Sequence, residues 1–526
     1  MQDNNDAVLA SKLEYLSLNP LGKILYKIKH FFLAIPKACS RFFRAIPSKA
    51  RKQSRQAQGV FHNIYEAGRY GDLFTRLSFL IMGFGLFFRH QIIRGALYLA
   101  YEIFFVVFMI LIGGPSLRGL SSLGQLGSVT YRVVDPVTGL DLDSLVNYDD
   151  SFTILLYSVI SIVLILILVA LWYSQLKDSL RLQREGVIGK RAKDVDTIKN
   201  VFDKSYHRTL LSIPMFGLVC FTIIPIVVMI LVAFTNYNQN HLTPGRLFDW
   251  VGMYNFQNLF SSGSGAGGNI FLQVFGEVLL WTLIWAFFAT FSNYFLGMIV
   301  AMIINIKGIK LKKVWRTVLI TTIAVPQFIS LLLISRMFGD NGFINNMLMS
   351  WGWIDAPVRW LSDQLIAKVM IIVINTWVGI PYTMLISTGL LMNIPDDLYE
   401  SARIDGASPV RMYFKITLPY MLFVTTPYLI SQFVGNINNF NVIYLLSGGN
   451  PAFYFEGTSI PLQVSATGVG RTDLLITWLY KMTVTSPEKD YGTGSVIGIL
   501  IFVVVAFFSL IFYNRSGSVK NEEEFQ

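Results

Sequence analysis

Long apolar runs recur along this chain, and they limit its fold more than any other feature. Lipid offers backbone amides no hydrogen-bond partner, so a spanning segment must be a helix or part of a closed barrel, and a spanning helix takes about 20 mostly apolar residues. Eight segments meet that description: 96–113, 151–173, 210–234, 280–304, 318–338, 367–391, 420–446 and 496–513. The stretch 73–88 is apolar but short and contains Arg76, which predicts an interfacial or re-entrant segment. Only 14% of the 526 residues are charged and 53% are hydrophobic, whereas a soluble domain carries about 25% charged residues. The expected fold class is an all-α polytopic membrane protein.

The net charge of +11 is distributed in a way that argues against nucleic-acid binding. Residues 1–95 hold 15 Lys and Arg against five acids, 174–208 hold nine against five, and 307–316 hold five against none. Residues 114–150 reverse the balance, with two against five. The positive-inside bias then places both termini and the segment 393–419 in the cytoplasm. Leu21, Ile24, Leu25, Ile28, Phe31 and Phe32 recur at helical spacing among Lys23, Lys27 and Lys29. That pattern predicts a basic amphipathic helix on the anionic inner leaflet, either a simple anchor or a regulatory docking site. Residues 51–58 read as a solvated linker, and 1–19 are too polar for a signal peptide.

Catalytic chemistry finds little support. Cys39 and Cys220 lie in unlike surroundings, so no disulfide, metal or redox role is expected. The five His residues show no metal-ligand spacing. Gly186 to Lys190 is only a fragment of a phosphate-binding loop, so the chain should not bind ATP itself. A membrane-embedded enzyme such as a glycosyltransferase would need acids or His facing a cavity, which these spans lack. Glu102, an acid within the first span, is a functional candidate, or else a structural group that snorkels or meets Arg94 or another helix.

Neutral polar residues are more telling. Gln432, Asn436 and Asn439 fall at i, i+4 and i+7 in the seventh span, and Asn375, Gly379 and Tyr382 repeat that spacing in the sixth. Trp377 precedes Pro381 by one turn, and Gly379 with Pro381 should loosen the helix near mid-membrane. Pro326, Gln327 and Ser330 do something similar in the fifth span. Amides donate and accept, as sugar hydroxyls do, and aromatic rings stack on a pyranose. The same stripes could instead be interhelical glue. No charged residue belongs to them, so an ionic substrate finds no counter-charge.

The polar segment 393–419 reads as two short helices. Asn393 can cap the first, with Pro395 near its start and Asp396 and Asp397 in its first turn. Gly406 suits the left-handed residue that ends it. Ser408 then caps a second helix that has Pro409 in its first turn. This stretch resembles the EAA loop of ABC importer permeases: Glu400, Ser401, Ala402, then Gly406 after Asp405, then Ile416, Leu418 and Pro419. Ser401 replaces the usual Ala.

The resemblance, to the MalF-type permease of maltose and oligosaccharide importers, runs from about residue 281 to 513. It is carried by Val325-Pro-Gln-Phe-Ile-Ser330, Asn375-Thr-Trp-Val-Gly-Ile-Pro-Tyr382, Ile394-Pro-Asp-Asp-Leu-Tyr-Glu400, Asn436-Ile-Asn-Asn-Phe440 and Thr472-Asp-Leu-Leu475. It implies a type I ABC importer permease fold with a permease core at 274–513; the chain adds peripheral spans and loops at 96–273, a tail at 514–526 and a basic N-terminal region at 1–95 to which the family pattern assigns no clear role. It also implies a second homologous permease, two ATPase subunits that consume the ATP, and an extracellular sugar-binding protein or lipoprotein. The substrate would be a neutral oligosaccharide resembling a maltodextrin or galacto-oligosaccharide. The sugar site would comprise Ser330, Asn375, Trp377, Gly379, Tyr382, Gln432, Asn436 and Asn439, and the ATPase-coupling residues would be Glu400, Ser401, Ala402, Asp405, Gly406, Ile416, Leu418 and Pro419. Gln432 stands where the maltose-specific form has a small hydroxyl residue, and 235–279 is far shorter than the folded insert of diderm bacteria. An importer for another sugar or polyol, or a non-transporting sensor or scaffold, are the alternatives.

Overall fold

The computed structural model describes residues 59–125, 132–134, 141–143, 149–188, 194, 203, 206–242, 246–261, 268–306, 308–453 and 468–515. The expected amphipathic helix at 21–32 and the linker at 51–58 lie outside these residues. Contacts divide the chain into two compact units, one formed by residues 1–115 and 160–216, the other by 116–159 and 217–526.

In the first unit the 73–88 stretch forms two short helices, α1 (Leu73–Leu77) and α2 (Phe84–Phe87), before the long α3 (Ile92–Phe108). Asp72 caps α1 by accepting from the Thr75 amide at 2.8 Å, and its carboxylate pairs with Arg89 at 2.7 Å. Glu102 on α3 accepts from the Met82 amide at 2.8 Å, while Arg94 pairs with Asp178 instead. Glu102 therefore meets backbone rather than Arg94. Met82 lies in the turn between the two short helices, where the fixed carboxylate satisfies an amide that no helix pairs.

A turn of π-helix (Met109–Gly113) follows α3 and leads into α4 (Gly114–Gly119). A small antiparallel hairpin pairs β1 (Arg132–Val134) with β2 (Asp141–Asp143). The next helix, α5 (Ser151–Val187), runs 37 residues, about 55 Å at 1.5 Å per residue. It overshoots the hydrocarbon core of about 30 Å, so the first part of the expected loop at 174–208 is helix. The third span is α6 (Tyr206–Leu218), a π turn (Val219–Ile223) and α7 (Ile224–Val232).

The second unit holds α7, α8 (Tyr254–Ser261), the 38-residue α9 (Gly268–Asn305), α10 (Lys312–Thr321), α11 (Gln327–Met337), α12 (Phe343–Ser350) and α13 (Gln364–Leu391). There follow α14 (Asp396–Ile404), α15 (Pro409–Met412), a π turn (Tyr413–Thr417), α16 (Leu418–Ile437), α17 (Phe440–Leu446), α18 (Leu475–Tyr480) and α19 (Tyr491–Arg515). Its core gathers on α9, where Trp281 and Trp285 pack with Leu331, Ile371, Ile374, Val442 and Leu446, and Tyr294 and Met298 pack with Met421 and Leu429. Close approach of α9 and α13 depends on two glycines. A Cβ on Gly297 would stand 2.0 Å from the Thr383 hydroxyl, and one on Gly379 would stand 2.5 Å from Asn293 Oδ1, as small residues at membrane helix contacts allow.

Six of the described helices are long and apolar enough to cross a membrane: Ile92–Gly119, Ser151–Val187, Thr209–Val232, Leu272–Asn305, Gln364–Leu391 and Tyr491–Ile511. A seventh is formed if Lys312–Ala324 and Gln327–Met337, bent by 89° at their break, count as one span. The expected span at 420–446 is not continuous. Helix α16 ends at Ile437, Asn438 leaves the helix, and the Asn439 side chain caps α17 by accepting from the Val442 amide at 3.3 Å.

Candidate functional site

The break in the fifth span builds one wall of a cavity. A residue before proline is pushed out of the helical region, and Val325 is extended at φ −78°, ψ 122° before Pro326, which precedes α11. Backbone from Thr322 to Gln327 thus turns onto a cavity of about 410 Å³ among α9, α11, α13 and α16. The expected loosening at Gly379 and Pro381 does not occur, because α13 continues unbroken through both. Neighbours support it there: Asn293 fills the space beside Gly379, and the Thr383 hydroxyl donates to the Asn293 carbonyl at 2.9 Å. Proline in a membrane helix is tolerated where adjacent groups re-satisfy the backbone.

Seven of the eight expected sugar-site residues line this cavity: Ser330, Asn375, Gly379, Tyr382, Gln432, Asn436 and Asn439. Trp377 does not. It is two residues from both Asn375 and Gly379, hence on another helix face, and stands 65% exposed outside the cavity wall. Thr290, Asn293, Tyr294, Thr383 and Tyr428 also line the cavity and were not singled out from sequence. They alternate with apolar residues on α9, α13 and α16, and their shared depth appears only once the helices are packed.

Among the described residues no charged side chain lines the cavity. Its amides divide into two sets. Asn436 Nδ2 donates to the Thr290 hydroxyl at 3.0 Å, its Oδ1 accepts from Asn439 Nδ2 at 3.3 Å, and its carbonyl accepts from Trp285 Nε1 at 3.0 Å. Asn436 and Asn439 thus act in part as the glue considered above. By contrast Asn375 Nδ2, Asn293 Oδ1 and the Tyr428 hydroxyl are buried without a hydrogen-bond partner among the described residues.

The loop at 393–419 has the two-helix build expected of it. Helix α14 ends in a Schellman motif in which the Gly406 amide donates to the Arg403 carbonyl at 3.0 Å and the Ala407 amide to the Ala402 carbonyl at 2.9 Å. Asp405 is its C-cap and Gly406 takes φ +72°. Ser408 caps α15, its hydroxyl accepting from the Arg411 amide at 3.3 Å. Asn393 caps nothing, since Pro395 occupies the N-cap position of α14 without a side-chain bond. The π turn carrying Ile416 leads into Leu418 and Pro419 at the start of α16, and Thr417 shares a hydrogen bond with Tyr399 at 2.8 Å. Glu400, Ser401 and Gly406 are exposed, as are the apolar Leu398, Ile404, Val410 and Phe414.

The galactooligosaccharides transport system permease protein GanP of Bacillus subtilis (strain 168) is 32% identical over 446 residues, covering 84% of this chain and 97% of its own. The maltodextrin transport system permease protein MalC of Streptococcus pneumoniae is 32% identical over 456 residues, 84% of this chain and 96% of that one. The maltose/maltodextrin permease MalF of Escherichia coli (strain K12) is 34% identical over 278 residues, 52% of this chain and 51% of that one. Residues 293–517 match the family described as binding-protein-dependent transport system inner membrane component, which takes in most of the cavity and the whole 393–419 loop. This chain therefore belongs to that family and is a multi-pass permease of the ABC-importer type.

Proposed function

We propose that this chain carries a neutral oligosaccharide, of the maltodextrin or galacto-oligosaccharide kind, through the cavity between α9, α11, α13 and α16. The observation that carries this reading is a wall made, among the described residues, of amides, hydroxyls, aromatic rings and apolar groups. Its volume falls in the range of about 300–1,000 Å³ usual for small-ligand sites. Ser330, Asn375, Gly379, Tyr382 and Gln432 are the proposed contacts; Asn436 and Asn439 fix the wall and present what remains of their hydrogen-bonding capacity. Trp377, outside the cavity, reaches sugar only if the bundle or a second permease brings it there. The names of the relatives favour the same substrates.

An extracellular binding protein delivers the sugar, a second homologous permease completes the pathway, and two ATPase subunits dock on the 393–419 loop. Exposed Leu398, Ile404, Val410 and Phe414 give the loop apolar contacts for such a partner. Glu400, Ser401, Ala402, Asp405, Gly406, Ile416, Leu418 and Pro419 form the lever. Catalysis stays in the partner, and this chain holds no cofactor. Both termini and the loop face the cytoplasm.

The test is reconstitution of the full importer in proteoliposomes. Maltotriose or a neutral galacto-oligosaccharide should enter and stimulate ATP hydrolysis, and an acidic oligosaccharide should do neither. Transport of the acidic sugar alone would overturn the proposal.

A further inference from the structure

A second hollow, of about 570 Å³, lies between the first halves of α9 and α13. Its sides are two exposed apolar rows at helical spacing, Leu280, Ile284 and Phe288 on α9 and Leu365, Val369 and Val373 on α13. Two charged side chains line it, Glu277 and Lys368, both at the end nearer the helix starts. Glu277 pairs with Arg471. Lys368 has no ion pair among the described residues. Its ammonium stands 4.9 Å from the ring centroid of Trp281, which is fixed by donating from Nε1 to the Thr472 carbonyl at 3.0 Å. Two cations against one acid leave this end of the hollow positive.

The apolar part is as long as one leaflet is deep. From Glu277 to Phe288 is eleven residues of α9, about 16 Å at 1.5 Å per residue, and half of the hydrocarbon core is about 15 Å. The charged end also falls at a headgroup level. Helix α9 runs 28 residues from Glu277 to Asn305, about 42 Å, and a bilayer with its headgroup layers measures about 40–45 Å. At Asn305 the cations Lys312 and Arg316 donate to its oxygens, so they mark the opposite headgroup level. A partner helix packed into the hollow would desolvate Lys368 at a cost unless it also brought an acid. A lipid brings an anion and an apolar chain in one molecule.

We propose that this hollow is a site for an anionic phospholipid, whose phosphate meets the Lys368 ammonium and whose acyl chain lies between the two apolar rows. The orientation argued from charge assigns that lipid to the outer leaflet. Phe288 and Val373 each stand two residues before a sugar-cavity residue, Thr290 and Asn375, hence on another helix face. The chain therefore braces α9 and α13 from behind the sugar cavity, whichever sugar is carried.

The experiment uses the full importer in nanodiscs with phosphatidylglycerol carrying a photoactivatable diazirine in its acyl chain, and phosphatidylcholine with the same chains. Labelled peptides are mapped by mass spectrometry after irradiation. Residues 280–288 and 365–373 should be labelled about fivefold more by the phosphatidylglycerol probe, the worth of one lysine at an anionic lipid. Lys368→Gln should bring that labelling down to the phosphatidylcholine level, while Lys313→Gln at the opposite headgroup level should leave it unchanged. Val369→Trp, which fills the hollow, should remove labelling there by either probe; its persistence would put the chain elsewhere. Equal labelling by both probes, unchanged in Lys368→Gln, would mean ordinary boundary lipid and overturn the proposal. So would labelling elsewhere on the chain but not at 280–288 or 365–373, which would mean that a partner subunit covers the hollow. Maltotriose uptake measured on the same preparations tests the transport reading separately.

Discussion

Asn436 and Tyr382 line the same cavity yet stand in different situations. Asn436 bonds Thr290 and Asn439 through its side chain and Trp285 through its backbone carbonyl, so Asn436→Ala removes the first two bonds, worth about 0.5–1.5 kcal/mol each, of which the one to Thr290 joins two helices. Its expected signature is a lower thermal midpoint and complex yield, accompanied by slower uptake. Tyr382 is half exposed in the cavity wall, so Tyr382→Ala should slow uptake by about tenfold or more through lost stacking and a lost hydroxyl, with the midpoint unmoved. Parallel measurement of uptake, yield and thermal unfolding separates the two. An unmoved midpoint in Asn436→Ala would mean that its bonds do not hold the bundle. Spacing placed Gln432, Asn436 and Asn439 on one side, but it could not show which amides were already paired, because the partners Thr290 and Trp285 lie about 150 residues away in the chain. It also admitted Trp377, which only packing turns away from the cavity.

Among elements, local chemistry decided the loop and packing decided the spans. The Schellman turn after α14 needs a residue at φ +72°, which costs a residue with a side chain about 1 kcal/mol or more. Gly406→Asp or Gly406→Pro should leave the protein inserted but abolish co-purification of the ATPase or sugar-stimulated hydrolysis; full stimulation in both variants would show that the loop is not the lever. A second element rests on charge. The Asp473 carboxylate is fully buried, bonded to Lys481 at 2.7 Å, the Gly470 amide at 2.7 Å and the Thr477 hydroxyl at 2.9 Å. Gly449, at φ +87°, passes so close that a Cβ would stand 2.3 Å from that carboxylate. The pair ties the approach to α18 to the residue that follows its last turn. Removing one partner strands the other charge, so Asp473→Ala should cost about 3–5 kcal/mol in unfolding, and adding Lys481→Met should restore part of it. Equal stability of the single and double variants would refute the coupling.

At the scale of the whole molecule, orientation is a matter of summed charge. Excess Lys and Arg in 1–95, 174–208 and 307–316, against excess acid in 114–150, predicts that 114–150 and 235–279 face outward. In a variant without Cys39 and Cys220, single cysteines replacing Asn147 and Ser264 should react with an impermeant thiol reagent on intact cells, and one replacing Lys193 should not. The opposite pattern would invert the topology.

What the amino-acid sequence alone determined is what depends on neighbours along the chain: the apolar lengths that make the protein polytopic, the caps and glycine of the 393–419 loop, and the strings that identify its family. These follow from lipid thickness, helix-end hydrogen bonding and backbone sterics, which act over a few residues or a single span. Tertiary structure alone decided that α13 continues through Pro381, packed against α9, while the fifth span breaks at Val325 and Pro326. It also decided that Glu102 meets the Met82 amide and that Asn293 and Tyr428 join the cavity wall. Those outcomes turn on which faces of distant helices touch, and no local pattern carries that information.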